Sequence, residues 1–246
     1  MNISTPALVI YLMADTDTVE LARAAVAAGA TAIEVGIPYS DPLADGLTIQ
    51  RAANRSLAAG MTTRKALDVI AGIRTHVDVP IVPMTYAGTV MALGEAGFCR
   101  AAAAAGADGL IVPDIPSDEA GPLSQACHEH GLDLVPLLAP TSSDERIELA
   151  CRNAGGFVYL VSVVGTTGAR QQLGDRVAGL IQRTRAHTAL PLLVGFGIST
   201  PAHAQAALAA GADGVVIGSR AIDVAEQGGA DALGTFVAGV AQALGV

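Results

Sequence analysis

The sequence predicts an α/β protein, a single (β/α)8 TIM barrel with parallel strands and outer helices. Eight short apolar runs alternate with segments of helical character, and no linker-like composition separates them. The runs are apolar almost throughout, which is typical of parallel strands covered by helices. Three near repeats, beginning at Gly29, Gly106 and Gly211, each place a helix stop, a turn and a strand start in the same register. We therefore expect one domain over residues 1–246.

The predicted strands are short and are bounded by Gly, Pro and Asp. In the second strand Ile33 and Val35 point one way, while Glu34 points the other way with its small neighbours. The eight runs cover residues 8–13, 32–36, 80–85, 109–112, 133–138, 157–162, 192–194 and 214–217.

Five of the predicted helices have Ser, Thr or Pro at their start, and the first of them stops at Gly29. The Ser-Ser-Asp-Glu run at 142–145 has the pattern of a capping box. Helices are predicted from 18 to 29, from 62 or 63 past 73, over 91–105, 117–130, 142–153 and 177–187, from 200, and over 221–225 and 231–244.

The composition limits the classes of function. The chain is 51% hydrophobic and 15% charged, which favours a large core over disorder, and its net charge of −9 disfavours nucleic acid as a partner. No apolar run approaches the roughly 18–20 residues that span a bilayer. No Lys or Arg precedes the apolar start at 7–14, so we expect no signal peptide and a cytoplasmic protein. Cys99, Cys127 and Cys151 are widely spaced, so buried reduced thiols are expected rather than disulfides.

Two carboxylates near the second strand are candidates for proton-transfer chemistry. Glu34 lies inside an apolar strand, where an ionised carboxylate costs several kcal/mol unless it is paired or its pKa rises. Asp45 follows on a loop rich in Pro and Gly. Two acids in unlike surroundings suit acid–base catalysis. A structural Glu paired with an Arg, together with an Asp that caps a turn, is the alternative, and the residue types alone leave both open.

Three glycine-bearing loops follow the sixth, seventh and eighth strands, at 165–168, 195–199 and 218–220. Glycine lets backbone N–H groups approach an anion closely. Ser219 also precedes a predicted short helix, whose N-terminus favours negative charge. Loops after the last two strands of such barrels commonly bind phosphate. The alternative is that these glycines only turn the chain.

Six motifs together carry a resemblance to a known family. They are Gly-Ile-Pro-Tyr-Ser-Asp-Pro-Leu-Ala-Asp-Gly at 36–46, Val-Pro-Asp-Ile-Pro at 112–116, Phe-Val-Tyr-Leu-Val-Ser at 157–162, Gly-Thr-Thr-Gly at 165–168, Gly-Phe-Gly-Ile-Ser at 195–199 and Gly-Ser at 218–219. Over nearly its whole length the chain closely resembles the tryptophan synthase α subunit family. The resemblance implies a lyase of tryptophan biosynthesis that cleaves indole-3-glycerol phosphate to indole and glyceraldehyde 3-phosphate. It also implies docking on a pyridoxal-phosphate-bearing β subunit in an αββα heterotetramer.

The resemblance also implies roles for individual residues. Glu34 matches the family's catalytic acid/base, Asp45 the carboxylate that accepts the indole N–H, and Tyr159 a tyrosine beside the catalytic Glu. Phe196 matches a side chain that lines the indole pocket. The phosphate cradle is matched by Gly168, Gly197, Gly218 and Ser219. This chemistry requires no metal and no organic cofactor.

Four departures from the family pattern are visible. Only residues 1–6 precede the first strand, too few for the family's extra N-terminal helix. The common Gly-Asp-Pro after strand one reads Ala-Asp-Thr at 14–16, and Arg220 stands where Ala is common. Arg220 either contacts an anion or pairs with Asp223. Ala87 replaces an Asn in a region that faces the β subunit, which bears on docking.

Several functions fit this pattern besides that of a conventional subunit. One is a stand-alone lyase that releases free indole, and another is a non-catalytic α-like regulator of a β-like partner. The retention of Glu34, Asp45 and the glycines argues against the regulator. Another phosphate-binding barrel, such as an isomerase or an aldolase, is a further alternative. The chain's one lysine, Lys65, follows no strand end, which excludes a Schiff-base aldolase.

Overall fold

The structure is a computed structural model that describes residues 1–162 and 170–246, with only the backbone described over 170–175. Its strands are β1 (Ala7–Met13), β2 (Ala32–Gly36), β3 (Ile81–Met84), β4 (Gly109–Leu110), β5 (Asp133–Leu134), β6 (Leu137–Leu138), β7 (Val158–Val161), β8 (Leu192–Gly195) and β9 (Gly214–Ile217). Its helices are α1 (Thr18–Ala27), α2 (Leu47–Ala58), α3 (Thr63–Arg74), α4 (Ala87–Leu93), α5 (Glu95–Ala104), α6 (Gly121–Glu129), α7 (Asp144–Arg152), α8 (Arg170–Arg185), α9 (Pro201–Ala209) and α10 (Ser219–Leu244).

The strands close into a parallel barrel. Seven of them pair in the order β3-β2-β1-β9-β8-β7-β6, and β4 pairs with β5. A parallel bridge between Met84, the last residue of β3, and Ile111, the residue after β4, joins the two sheets. β5 and β6 form one barrel strand interrupted at Pro136, whose carbonyl still accepts the Tyr159 N–H at 3.0 Å. The predicted eight-stranded (β/α)8 architecture is therefore confirmed.

Alternation along the strands separates two apolar layers. One layer fills the barrel interior and includes Val9, Tyr11, Met84 and Val216. The other lies between the sheet and the helices and includes Ile33 and Val35. Consequently the opposite face of β2, with Glu34, is the interior face, as the alternation predicts.

The N-terminal end of the barrel is covered without a helix in residues 1–6. Ile3 is buried with the interior layer, and Met1 packs against it. These two side chains cover the N-terminal end of the interior layer, which would otherwise be exposed to solvent.

Three of the predicted helix caps are present. Thr62, Ser143 and Thr200 each accept a backbone N–H from the residue three positions later. The first helix differs, because Asp17 precedes it without a side-chain cap and Thr18 instead donates to the Met13 carbonyl at 2.7 Å.

The helices differ from the sequence prediction in five respects. α2 was not predicted: its N-cap is Gly46, without a side-chain signal, although Ile49, Ala52, Ala53 and Ser56 form a buried helical stripe. The helix predicted over 91–105 is divided at Gly94, whose φ is 70°. α6 begins four residues later and α8 seven residues earlier than the predicted starts at 117 and 177. The two predicted C-terminal helices are one element, α10, kinked at Gly228 and Gly229.

The three cysteines are buried and reduced, as expected, and the Sγ atoms of Cys99 and Cys127 lie 3.7 Å apart. Within residues 1–162 and 170–246, none of the helices combines the length and the apolar character that crossing a membrane requires.

Candidate active site

A cavity of about 140 Å³ opens at the carboxyl ends of the strands, where barrel enzymes carry their active sites. Carboxylates and aromatic side chains line one part of it, and the turn after β8 and the start of α10 line another. Seven of the eight site residues predicted from the sequence line this single cavity: Glu34, Asp45, Tyr159, Phe196, Gly197, Gly218 and Ser219. The eighth, Gly168, lies outside the described residues with the rest of the loop at 165–168.

Glu34 is a buried carboxyl group, and no compensating charge pairs with it among the described side chains. It lies between Tyr11 of β1 and Val82 of β3 in the sheet register and is only 1% exposed. Its Oε2 atom has no hydrogen-bond partner, and no arginine pairs with it in the described part of the chain. Burial, and secondly the nearby Asp45 carboxylate, raise the pKa of Glu34 to about 8. Among the side chains that the structure describes, the alternative of a structural Glu–Arg pair is therefore not found.

Asp45 reaches the cavity from the loop at 37–46. Its main-chain carbonyl accepts a hydrogen bond from the Gln50 side chain of α2 at 2.7 Å, so the helix that the sequence did not reveal holds this residue. Burial raises the pKa of Asp45, and a hydrogen bond from the Tyr86 side chain opposes that rise. Asp45 is therefore better able to remain ionised than Glu34, which has no such donor.

Aromatic rings form the wall around the carboxylates. The rings of Tyr159 and Phe196 meet edge to face, with centroids 6.0 Å apart and planes at 69°. Tyr11 occupies the space that a Cβ atom on Gly36 would fill, and Tyr159 does the same at Gly195. Burial and the two carboxylates raise the pKa of both phenols, so both stay protonated and can donate.

The turn after β8 holds Phe196 in an uncommon conformation. Phe196 has φ 66° and Gly197 has φ 80°, and positive φ is rare for an aromatic residue. The Ser162 hydroxyl, at the end of β7, donates to the carbonyls of Gly195 and Phe196. These bonds stabilise the turn that directs Phe196 and Gly197 into the cavity.

At another part of the cavity, Gly218 and Ser219 begin the 26-residue helix α10. The first N–H groups of a helix have no partner inside the helix, and the helix dipole favours an anion there. Arg220 also lines the cavity, but its guanidinium lies 5.7 Å from the centre of the Phe236 ring. Asp223, the partner considered for Arg220, lies 3.7 Å from Arg51 instead.

Sequence reasoning missed two tyrosines of the site, Tyr11 and Tyr86. Tyr11 reads as one more apolar residue of β1, and only its register opposite Glu34 reveals it. Tyr86 directly follows β3 and contacts the loop that carries Asp45. A tyrosine that closely follows a strand is a signal that could have found Tyr86, whereas Tyr11 lies inside β1 and carries no such signal.

Comparisons with known proteins agree with this geometry. A family model described as the tryptophan synthase alpha chain matches residues 2–239. The chain belongs to this family. The tryptophan synthase alpha chain of Gluconacetobacter diazotrophicus is 48% identical over 225 residues, which are 89% of this chain and 82% of that one.

Two solved structures show the same fold. Tryptophan synthase subunit alpha from Legionella pneumophila superposes with a TM-score of 0.88 at 33% identity, covering 97% of this chain and 92% of that one. A chain of the tryptophan synthase complex from Pyrococcus furiosus gives a TM-score of 0.88 at 33% identity, covering 99% and 100%. The family resemblance seen in the sequence motifs is thus confirmed.

The raised pKa of Glu34 predicts a specific pH dependence of stability. The folded protein keeps this proton up to about pH 8, whereas an unfolded chain releases it near 4.5. The folded state therefore binds more protons in this window, and its free energy of unfolding falls with rising pH by up to about 1.4 kcal/mol per unit. Glu34→Gln removes this dependence. The free energy of unfolding of the variant, relative to that of the unsubstituted protein, should therefore increase from pH 5 to pH 8. Urea unfolding at several pH values measures the difference, and a constant difference would contradict the buried, uncompensated carboxyl group.

Proposed function

We propose that this chain, acting as one domain over residues 1–246, cleaves indole-3-glycerol phosphate to indole and glyceraldehyde 3-phosphate. The observation that carries the proposal is a single cavity that contains a buried carboxyl group, with no partner among the described residues, and also the N-terminus of a long helix. The first suits proton transfer and the second suits a phosphate. Membership of the tryptophan synthase alpha chain family supports the same reaction.

Cleavage of the bond between indole C3 and the glycerol chain needs a proton on C3. Protonation makes the ring an electron sink and leaves a positive charge on the ring nitrogen. An ionised Asp45 facing the N–H group stabilises this charge more in the transition state than in the ground state. The hydrogen bond from Tyr86 favours the ionised form of Asp45 that this role requires.

Glu34 is suited to both proton transfers. With its pKa raised to about 8, it carries a proton at neutral pH and can give it to C3. The resulting carboxylate then accepts the proton of the glycerol hydroxyl as the aldehyde forms and the carbon–carbon bond breaks. One side chain thereby returns to its starting state within each turnover.

The start of α10, together with the turn at Gly197, suits the phosphate of the substrate. A phosphate held there orients the glycerol chain, so that remote binding energy positions the reacting bond. In our proposal Phe196 and Tyr159 contact the indole ring, and Gly168, outside the described residues, completes the cradle.

The β subunit of tryptophan synthase is the partner we propose, in an αββα assembly. The Pyrococcus furiosus structure is of a tryptophan synthase complex, which supports this proposal. Leu43 is 86% exposed and Leu47 79% exposed, and both flank Asp45 in sequence. Met91 and Leu93 of the neighbouring α4 are also exposed. Apolar side chains of this size on a rim suit a protein interface better than solvent.

A first experiment tests the function and the role of Glu34. We expect indole release from indole-3-glycerol phosphate, and we expect Glu34→Gln to lower kcat by about 10²- to 10⁴-fold, because it removes the proton carrier. Substrate binding should change little, since the amide has nearly the same shape. The assay uses the isolated chain with and without a β subunit. Strong turnover alone would favour a stand-alone lyase, and none under either condition would favour the non-catalytic regulator.

A second experiment tests the phosphate cradle with Gly218→Ala. A Cβ atom at Gly218 lies 3.6 Å from Ile49 and 3.7 Å from Tyr11, so the protein itself accommodates it. Because both neighbours line the cavity, the added methyl group narrows it, and KM should rise about 10-fold or more with an unchanged melting temperature. An unchanged KM would remove Gly218 from the cradle.

The two carboxylates predict a bell-shaped pH profile of kcat/KM. Activity should fall on the acidic side as Asp45 gains a proton, and on the basic side, near pH 8, as Glu34 loses its proton. Inhibition by glycerol 3-phosphate, measured over the same range, is the control for titration of the phosphate itself. A profile still rising well above pH 8 would contradict protonated Glu34 as the acid.

The interface is tested with Leu43→Asp and Met91→Asp. Each places a charge in the proposed contact and should weaken binding to the β subunit about 10-fold or more, as titration calorimetry would measure. Val246→Asp, at another exposed apolar residue, is the matched control. Equal affinities for all three variants would exclude this surface.

A further inference from the structure

Tyr86 joins the end of β3 to the loop that carries Asp45. It is the N-cap residue of α4 and is only 3% exposed. Its hydroxyl oxygen accepts the Ala44 N–H at 3.1 Å. Its ring stacks on Tyr39 with centroids 5.1 Å apart and planes at 21°. One side chain therefore contacts the loop at two points, on the N-terminal side of Asp45.

The rest of the loop is poorly restrained. Leu43 is almost fully exposed, and the Ser40 hydroxyl, among the described residues, bonds to its neighbour Asp41 alone, at 2.5 Å. The C-terminal side of Asp45 is held by the Gln50 bond to its carbonyl. That bond fixes the main chain and leaves the direction of the carboxylate to its other contacts.

We propose that Tyr86 is a positioning residue, which holds the loop through its bond to the Ala44 backbone and so directs the adjoining Asp45 carboxylate toward the indole nitrogen. This role rests on the proposed function. The oxygen of Tyr86 accepts from Ala44, and the phenol proton is near enough to the Asp45 side chain to lower its pKa. The Ala44 bond thereby ties the residue before Asp45 to the end of β3.

Tyr86 differs from the other groups near Asp45 in its effect on the pKa of that carboxyl group. Glu34 of β2, Tyr11 of β1 and Tyr159 of β7 all interact electrostatically with Asp45. Burial raises the pKa of Asp45, whereas the Tyr86 phenol lowers it. Burial, Asp45 and Asp114 raise the pKa of Tyr86 itself, so it remains a donor throughout the working range.

The test variant is Tyr86→Phe, which keeps the ring and its stacking on Tyr39 but removes the hydroxyl, with its bond to Ala44 and its donor proton near Asp45. We expect kcat/KM for indole-3-glycerol phosphate to fall about 10- to 100-fold, mainly through kcat. The acidic limb of the pH profile should move to higher pH, because Asp45 loses the donor that favours its ionised form. A merely structural role would lower the melting temperature without moving this limb.

Thr85→Val is the matched control. It removes the adjacent hydroxyl, which is buried and has no hydrogen-bond partner in the described chain, so activity and pH profile should stay unchanged. The same Tyr86 change is also made in Asp45→Asn. In the Asp45→Asn background, Tyr86→Phe should lower kcat/KM only slightly further, because the carboxylate that Tyr86 positions is already absent.

Two results would overturn the role of Tyr86: an unmoved acidic limb in Tyr86→Phe, or an equal loss in the Asp45→Asn background. Absence of cleavage by the unsubstituted protein, with and without a β subunit, would overturn the proposed function and this role with it. The two failures are distinguishable, since only the second involves the unsubstituted protein.

Discussion

The burial of Glu34, with no partner in the part of the chain that the structure describes, is the constraint on which the site depends. A carboxyl group in the interior layer of a barrel stabilises nothing by itself, since burial disfavours its charged form. The protein tolerates it in the neutral form, and that form is a proton donor at neutral pH. Small residues make room around it: Gly36 and Gly195 lack the Cβ atoms that would displace Tyr11 and Tyr159. The unfavourable burial of this acid thus lies in the active-site cavity, where the neutral form can donate a proton to a substrate.

The second carboxylate is kept different from the first by its support. Glu34 is carried by a strand and has no donor among the described side chains, whereas Asp45 is carried by a loop that α2 and Tyr86 hold. Burial raises the pKa of both carboxyl groups, but only for Asp45 does a tyrosine oppose the rise, so the two groups hold a proton differently. The separation of roles follows from the elements that carry the two residues rather than from the residue types.

Much of this could be predicted from the sequence. The eight strands could be predicted, because parallel strands in a barrel are continuous apolar runs bounded by Gly and Pro. The face of β2 that carries Glu34 followed from simple alternation along the strand. α2 could not, because its start lacks a capping side chain and follows a loop rich in Pro and Gly. Tyr11 and Tyr86 escaped notice because their roles depend on which strands are neighbours, which one strand's pattern does not contain. The glycines at 197 and 218 could be found because the loop motifs mark them directly.

The most direct measurement is the pKa of the Glu34 carboxyl group in the unliganded protein. Isotope-edited infrared or carbon NMR spectra, titrated for the unsubstituted chain and for Glu34→Gln, isolate the signal of this one side chain. A carboxyl group that loses its proton near pH 8 is the expected result. A carboxylate already ionised at pH 6, near the ordinary value of 4.5, would contradict a neutral proton donor in the interior of the barrel.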